Sequence, residues 1–207
     1  NNPTGAVYSE EVLREIIALA AEHDLPIFSD EIYDRLIYEN VPFCSTAALA
    51  SEDAGVVTTN GLSKSHLVCG FRCGWLAVSG PTVKKHALLA ALDKLASMRL
   101  CSNALMQLVI PAALNDPQTP KSLVSPGGRL YEQRRAACDA LEKVDTLQFV
   151  KNKGAFYVFP RIDPSLHITD DHRFAMDLLH ETHILVVPGT GFDWQEQNHF
   201  RLVLLPE

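Results

Sequence analysis

One lysine lies in the stretch that most constrains the fold of this chain. Residues 56 to 75 read VVTTNGLSKSHLVCGFRCGW, where a β-branched run, Val56 to Thr59, stops at an Asn-Gly pair before Ser63 and Lys64. A second apolar run, Cys73 to Val78, follows only after two glycines. β-Branched runs bounded by such turn residues are typical of strands. The pattern predicts that Lys64 lies on a loop between two strands, where a cofactor could reach its amine.

The residues before this stretch predict an α/β unit. Ser9 opens an apolar-periodic segment typical of an amphipathic helix that runs to about His23, and a short buried strand from Leu25 to Ser29 ends at Asp30. In such a unit, functional groups collect at the carboxyl ends of parallel strands. We therefore expect Asp30 and Tyr33 to emerge together at a strand end.

Four motifs in chain order give the sequence a family resemblance. They are Asn2-Pro3-Thr4-Gly5, Asp30-Glu31-Ile32-Tyr33, the pair Ser63-Lys64 followed by Arg72, and Arg201 in Phe200-Arg201-Leu202. This pattern resembles the fold-type I (class I/II) pyridoxal-phosphate-dependent aminotransferases over nearly the whole chain. Within that family, the segments NGLSK, LASMRLCSN and PGGRLYEQR are most similar to bacterial alanine (glutamate-pyruvate) aminotransferases. The resemblance implies the α/β fold of that family.

The resemblance also implies roles around the cofactor ring. Lys64 would form a Schiff base with pyridoxal 5'-phosphate and carry a proton between the substrate α-carbon and the cofactor. Asp30, as a buried carboxylate, would keep the pyridine nitrogen protonated. Tyr33 and Asn2 would donate hydrogen bonds to the phenolate oxygen of the ring. The alternatives are a solvated loop lysine, a helix-capping aspartate, a core tyrosine and a turn asparagine.

The cofactor phosphate is assigned, by the same resemblance, to Ser63 and Arg72. A guanidinium grips a phosphate bidentately, and a hydroxyl adds a donor without competing charge. Many family members have a serine three positions before the lysine, where this chain has Gly61. One phosphate donor is therefore lost here or supplied by a backbone N–H.

The substrate is assigned to Arg201 and Asn2. A planar guanidinium orients an α-carboxylate in a way that a lysine cannot. An arginine in an apolar strand, here FRLVLL, is costly unless paired, which favours a ligand role. An ion pair within the chain is the alternative.

The second half of the chain predicts helices followed by a compact α+β unit. We expect helices over 82–96 and 103–114, the latter broken or bent at Pro111, a loop over 115–127, and a long charged helix over 128–143. Strands are predicted at 147–151, 155–159, 184–187 and 200–205, with a helix over 171–182. The resulting domains are residues 1–130, the latter part of a cofactor-binding large domain, and residues 131–207, an incomplete small domain.

Composition and spacing exclude several other kinds of site. The net charge is −7 and no basic block stands out, so nucleic acid is a poor candidate partner. No apolar run approaches the roughly 18 residues of a membrane span. The pair His180 and His183 is one residue short of a HExxH zinc site, so no metal is expected. Five scattered cysteines predict reduced thiols in a cytoplasmic protein.

The resemblance implies transamination between an L-amino acid and a 2-oxo acid, with alanine and 2-oxoglutarate as the favoured pair. Aspartate, branched or aromatic donors remain alternatives. So does a transcription regulator whose aminotransferase-like domain senses the cofactor without turnover. Family members are nearly twice this long and homodimeric, so we expect a fragment that lacks the N-terminal half. A fragment that is inactive on its own is a further alternative. Arg99 and the 95–103 segment are expected to face a partner subunit.

Overall fold

A computed structural model gives the conformation of residues 1–50, 52 and 54–206. Internal contacts divide the chain into two units, which we name after Lys64 and Arg201. The lysine unit consists of Tyr8–Leu36 and Asn40–Lys121. The arginine unit consists of Asn1–Val7, Ile37–Glu39 and the chain from Ser122 onward. The division into domains at residue 130 stays a prediction.

The lysine unit contains a three-stranded sheet and several helices. Its elements in chain order are α1 (Glu10–Glu22), β1 (Ile27–Asp30), α2 (Thr46–Ala50), β2 (Val56–Gly61), α3 (Leu62–Ser65), β3 (Gly74–Ser79), α4 (Thr82–Arg99), α5 (Ala104–Gln107) and α6 (Ile110–Leu114). The sheet has the order β1-β2-β3, with β1 and β2 parallel and β3 antiparallel to β2. The mixed α/β character predicted from the sequence is confirmed.

Helix α1 forms where the sequence predicts it. The hydroxyl of Ser9 accepts a hydrogen bond from the backbone N–H of Val12 at 3.3 Å, which caps the first turn. Leu13, Ile17 and Ala20 lie one or two turns apart and form the buried face. Ile17 packs in a core cluster that includes the start of β2. This packing fixes the helix against the strand that leads to Lys64.

One edge of the sheet, which we call the lysine edge, is where β1 and β2 end and β3 begins. Asp30 at the end of β1 pairs with Thr59, and Gly61 at the end of β2 pairs with Gly74, the first residue of β3. Parallel strands end at the same edge of a sheet, and an antiparallel neighbour begins there. The residues that follow β1 and β2 and those that precede β3 therefore share this edge.

The position of Lys64 between two strands is confirmed, but the predicted loop is wrong. Lys64 lies on the one-turn helix α3, which directly follows β2. Leu62, 1% exposed, anchors this turn in a cluster with Cys73 and Ala113. The hydroxyl of Ser65 donates to the Gly61 carbonyl at 3.5 Å. A single turn with one apolar anchor has no periodicity, which is why the sequence pattern did not reveal it.

The loop predicted over residues 115–127 is also wrong, because it contains helix α7 (Gln118–Val124). The Asp116 carboxylate accepts hydrogen bonds from the backbone N–H groups of Gln118 and Thr119 at 3.0 and 3.2 Å, which caps the helix. Pro120 lies in the first turn, where a backbone N–H has no intrahelical acceptor to lose. A proline in this position is therefore compatible with a helix. The break predicted near Pro111 is confirmed, since α6 begins one residue before it.

The arginine unit is the predicted α+β unit. Its elements after α7 are α8 (Arg129–Leu141), β4 (Leu147–Gln148), β5 (Tyr157–Val158), β6 (Arg161–Ile162), α9 (Asp171–Thr182), β7 (Val187–Pro188) and β8 (Phe200–Val203). The pair β4-β6 and the sheet β5-β8-β7 are antiparallel. The two long helices are confirmed. The strands are shorter than predicted, β7 begins at Val187 and not at Ile184, and β6 was not predicted.

Candidate active site

Five of the predicted site residues lie at the lysine edge. Asp30 ends β1 and Tyr33 lies in the turn that follows it. Ser63 and Lys64 lie on α3 directly after β2, and Arg72 stands two residues before β3. The backbone positions of a carboxylate, a phenol, a hydroxyl, an amine and a guanidinium therefore fall at one edge of the sheet. This is the set of groups predicted to hold an aldehyde cofactor that carries a phosphate.

Asp30 and Tyr33 differ in their exposure. Tyr33 is a buried residue, with only 7% of its surface exposed. Asp30 was expected to be a buried carboxylate, but it is exposed in this chain. One of its oxygens accepts hydrogen bonds from the Ile32 backbone N–H at 3.2 Å and the Thr59 hydroxyl at 3.5 Å. These two bonds fix the orientation of the carboxylate at the strand end.

The guanidinium of Arg72 lies at the surface of the same edge. Its Nη1 donates a hydrogen bond to the Cys69 carbonyl at 2.9 Å, and its backbone φ of 54° is left-handed. A residue other than glycine adopts this backbone conformation only at an energetic cost, and residues with such conformations cluster at functional sites. A guanidinium has five N–H donors, so the bond to Cys69 leaves capacity for an anion.

Glycine at position 61, where many family members have serine, has a steric explanation. A Cβ atom on Gly61 would lie 2.7 Å from the Cys73 carbonyl oxygen, closer than real Cβ atoms approach. A serine therefore does not fit on this backbone. The Gly61 N–H is also engaged, because it donates to the Asn60 side-chain oxygen at 2.7 Å. Neither the side chain nor the backbone N–H of residue 61 supplies the missing phosphate donor.

The two residues assigned to the substrate meet in the arginine unit. The Nη1 of Arg201 donates a hydrogen bond to the side-chain oxygen of Asn2 at 2.8 Å. The guanidinium carbon lies 4.6 Å from the ring centre of Tyr157 and 4.9 Å from that of Phe192, within cation–π range. The Nε of Arg201 is buried and makes no hydrogen bond in the structure. A buried donor without an acceptor is costly, and a carboxylate would satisfy it.

The turn that contains Asn2 is held through the backbone of Gly5. The Gly5 carbonyl accepts hydrogen bonds from the N–H groups of Lys153 and Gly154 at 3.0 and 2.9 Å. The φ of Gly5 is +67°, and a Cβ there would lie 2.4 Å from the Cβ of Asn152. Only glycine fits in this position. The turn at residues 2 to 5 is thereby locked to the NKGAFY segment that leads into β5.

Arg134 is a buried cation that the sequence analysis missed. It is 3% exposed, and its Nε and Nη2 donate to the Asn152 carbonyl at 2.9 and 2.6 Å. Its Nη1 pairs with the Glu39 carboxylate at 2.9 Å, and this guanidinium lowers the pKa of Glu39. The available signal was its spacing, because Leu130, Arg134 and Cys138 occupy one face of α8, a face that is otherwise apolar and buried.

Glu31 is a second missed residue, and it supports the lysine edge. It is 9% exposed, and its Oε1 accepts hydrogen bonds from the Ser29 hydroxyl at 3.1 Å, the Ser45 hydroxyl at 3.1 Å and the Thr46 backbone N–H at 3.0 Å. The donors come from β1 and from the start of α2. Ser45 and Thr46 lie 14 and 15 positions after Glu31 in the chain, so local sequence spacing gave no signal for these two contacts.

The burial of His199 leads us to predict that the arginine unit is less stable at acidic pH. Its ring, 7% exposed, stacks on Phe159 at 5.1 Å and contacts Trp194 at 5.2 Å, and burial lowers the pKa of the imidazole below its usual 6.5. The folded state therefore disfavours the protonated ring. Its contribution to stability is present above pH 6.5 and is lost as the pH falls through the lowered pKa. Urea midpoints should fall from pH 7.5 to about pH 5.

The control for this prediction is His199→Phe, which keeps an aromatic ring in the stack and cannot be protonated. We expect a smaller loss of the urea midpoint over the same pH interval in this variant. An identical loss in the variant and the unchanged chain would assign the acid sensitivity to other groups.

Further features of the structure concern metal-binding clusters, membrane-spanning helices and the state of the cysteines. Within residues 1–50, 52 and 54–206, no three His, Cys, Asp or Glu side chains are grouped to hold a metal ion. Over the same residues, the structure has no helix with the length and apolarity of a membrane span. Cys44, Cys69, Cys73, Cys101 and Cys138 are free thiols.

The family is shown by comparison with known proteins. The sequence model of the family "Aminotransferase class I and II" matches residues 1–207. The chain belongs to this family, as its four motifs predicted. A crystal structure of an aminotransferase from Escherichia coli superposes with a TM-score of 0.96 at 44% identity, over 100% of this chain and 51% of that one. The fold-type I aminotransferase fold is therefore confirmed.

Two relatives indicate the branch of the family. The glutamate-pyruvate aminotransferase AlaA of Escherichia coli is 46% identical over 209 residues, which cover 100% of this chain and 51% of that protein. The alanine aminotransferase of Mycobacterium tuberculosis is 45% identical over 207 residues, with coverage of 100% and 48%. The similarity to bacterial alanine aminotransferases is confirmed. The chain spans about half the length of the curated relatives it matches.

Proposed function

We propose that this chain carries the lysine and the carboxylate-binding arginine of a transaminase that uses pyridoxal 5'-phosphate. The reaction moves an amino group from an L-amino acid to a 2-oxo acid, with alanine and 2-oxoglutarate as the pair. The observation that carries the proposal is the Arg201 guanidinium, which is held by Asn2 and two aromatic rings while its buried Nε has no acceptor. A substrate α-carboxylate supplies that acceptor.

The groups at the lysine edge fit the cofactor. When bound, pyridoxal phosphate supplies an aldehyde for the substrate amine and an electron sink for the α-carbon. The Nζ of Lys64 would hold the cofactor through its aldehyde group, and as a free amine it would take the proton of the substrate α-carbon as a general base. Arg72 and Ser63 would hold the phosphate through charge-assisted hydrogen bonds. The exposed carboxylate of Asp30 is available to a pyridinium N–H.

Asn2 and Arg201 would orient the substrate. Arg201 would bind the α-carboxylate through two parallel N–H groups, a geometry that fixes direction as well as charge. The oxygen of Asn2 accepts a hydrogen bond from Arg201, and its amide nitrogen carries two N–H donors, the type of group that the family resemblance assigns to the phenolate oxygen of the cofactor. Positioning of this kind converts a bimolecular proton transfer into an effectively unimolecular one.

Alanine is proposed as the donor because two relatives at 45–46% identity carry the names alanine and glutamate-pyruvate aminotransferase. We further propose a cytoplasmic homodimer. The support for the dimer is an apolar surface that extends from α4 through the connecting residues and α5 to Leu108. The exposed side chains there are Leu89, Leu95, Met98, Leu100, Leu105 and Leu108. Exposed apolar area of this kind marks an interface.

The test is a coupled assay on the protein that contains this chain, with saturating pyridoxal phosphate. We expect alanine and 2-oxoglutarate to yield pyruvate and glutamate at a rate that exceeds the rates with aspartate, leucine and phenylalanine as donors by about tenfold or more. A higher rate with one of those donors would assign the chain to that donor. No turnover with any of them would contradict the proposal.

A further inference from the structure

Asp171 is a buried carboxylate that the proposed reaction does not use. It lies in the first turn of α9 and is 1% exposed. Both of its oxygens accept hydrogen bonds from Thr190, one from the hydroxyl at 2.7 Å and one from the backbone N–H at 2.9 Å. An ionised carboxylate is expensive to bury unless such bonds satisfy it. The geometry thus ties α9 to the turn at residues 189 to 192.

Capping of α9 does not explain this carboxylate. The preceding residue, Asp170, already caps the helix, since its side chain accepts a hydrogen bond from the Arg173 backbone N–H at 2.9 Å. The hydrogen bonds of Asp171 point to Thr190, 19 positions away in the chain. Its effect is therefore on the turn that it holds.

The turn held by Asp171 carries one wall of the arginine site. Gly189 to Phe192 form a short helical turn, and the Phe192 ring centre lies 4.9 Å from the Arg201 guanidinium carbon. The turn lies close to the residue that precedes β8, because a Cβ on Gly189 would lie 2.9 Å from the Cβ of His199. The two hydrogen bonds at Thr190, together with the one that the Gly189 N–H donates to the His199 carbonyl at 2.8 Å, hold the turn that carries Phe192.

We propose that Asp171 is a positioning residue for the carboxylate-binding arginine. By fixing Thr190 it holds Phe192 against the Arg201 guanidinium, and so it keeps the fork of N–H groups in the orientation that a substrate carboxylate needs. This inference rests on the proposed carboxylate-binding role of Arg201. Groups held by a supporting layer of hydrogen bonds lose binding when that layer is removed, even though the binding group remains.

The test compares variants that break the clamp with variants that keep it. Asp171→Ala removes both hydrogen bonds, and Thr190→Val removes only the one from the hydroxyl. Thr190→Ser keeps both. Asp177→Asn is the matched control, because it neutralises an exposed aspartate on the same helix. Arg201→Gln tests the proposed function itself.

The measurement is the affinity of the cofactor-free protein for 2-oxoglutarate by calorimetry, with inorganic phosphate as the second ligand. We expect Asp171→Ala and Thr190→Val to weaken 2-oxoglutarate binding by about tenfold, below the roughly 100-fold that a 1 Å misplacement can cost. Phosphate binding, which the proposed function assigns to Arg72 and Ser63, should be unchanged. Thr190→Ser and Asp177→Asn should bind both ligands as the unchanged protein does.

Each outcome separates the two proposals. If Arg201→Gln binds 2-oxoglutarate as tightly as the unchanged protein, the carboxylate-binding role of Arg201 is wrong. If Arg201→Gln loses binding while Thr190→Val and Asp171→Ala keep it within twofold, the positioning role is wrong. An equal loss of phosphate and 2-oxoglutarate binding in folded Thr190→Val would also overturn the positioning role, because it would indicate a general structural effect.

Discussion

Arginine in place of Lys64 is expected to reduce transamination by about 10⁴-fold or more, because it removes both the covalent attachment of the cofactor and a general base. Arginine keeps the positive charge and a similar length, but its guanidinium stays protonated and cannot act as a nucleophile at neutral pH. Position 64 lies on a one-turn helix at the lysine edge and is only partly buried. The measurement is pyruvate formation from alanine and 2-oxoglutarate.

Two controls accompany this variant. Lys143→Arg makes the same exchange at an exposed position beyond the end of α8 and should leave the rate unchanged. Thermal unfolding of Lys64→Arg should match that of the unchanged protein, which separates lost chemistry from lost structure. A folded Lys64→Arg variant that retains a tenth of the activity would show that another amine carries the reaction.

Replacing Arg134 by methionine is expected to lower the free energy of unfolding of the arginine unit by about 3 kcal/mol or more. Methionine fills a similar volume, but it leaves the buried Asn152 carbonyl without its two donors, and hydrogen bonds to charged groups contribute about 1.5 to 3 kcal/mol each. The Glu39 carboxylate also loses its partner, although it is exposed enough to be hydrated. Urea unfolding followed by circular dichroism measures the change.

The matched control is the next residue of the same helix. Arg135 is exposed and pairs with Glu132 at 2.6 Å, so Arg135→Met should change the free energy of unfolding by about 0.5 kcal/mol or less. Both variants remove one arginine from α8. If their effects on the free energy of unfolding agree within 1 kcal/mol, the buried network around Asn152 does not stabilise the unit as the structure indicates.

Local sequence patterns revealed those parts of the fold that depend on neighbouring residues. Helix α1 was predictable because its capping residue and its apolar residues lie close together in the chain. Helix α9 was predictable because its apolar residues recur with helical spacing. The one-turn helix α3 and the proline-containing α7 were not, since each depends on a few side-chain bonds. Likewise, β4 and β5 are two residues long each because only two residues of each strand pair with a neighbouring strand, and the sequence does not show where that pairing stops.

The candidate site divides in the same manner. Residues with a motif, such as Lys64 and Arg201, were assigned roles from their motifs in the chain, and these roles stay predictions. Two buried charged residues of the arginine unit were missed because their partners are distant: Arg134 contacts Asn152 at a separation of 18 positions, and Asp171 contacts Thr190 at a separation of 19. A buried charge on an apolar helix face was the available signal for Arg134. Asp171 gave no such signal, because an aspartate in a first helical turn is ordinary.

Borohydride reduction of the chain after mixing with pyridoxal phosphate identifies the amine that holds the cofactor. Reduction fixes the bond between that amine and the cofactor aldehyde, and peptide mapping locates it. We expect a single labelled position, Lys64, and no label in the Lys64→Arg variant. Label spread over the exposed lysines, with Lys64 no more modified than the others, would contradict the assignment of the lysine edge as the cofactor site.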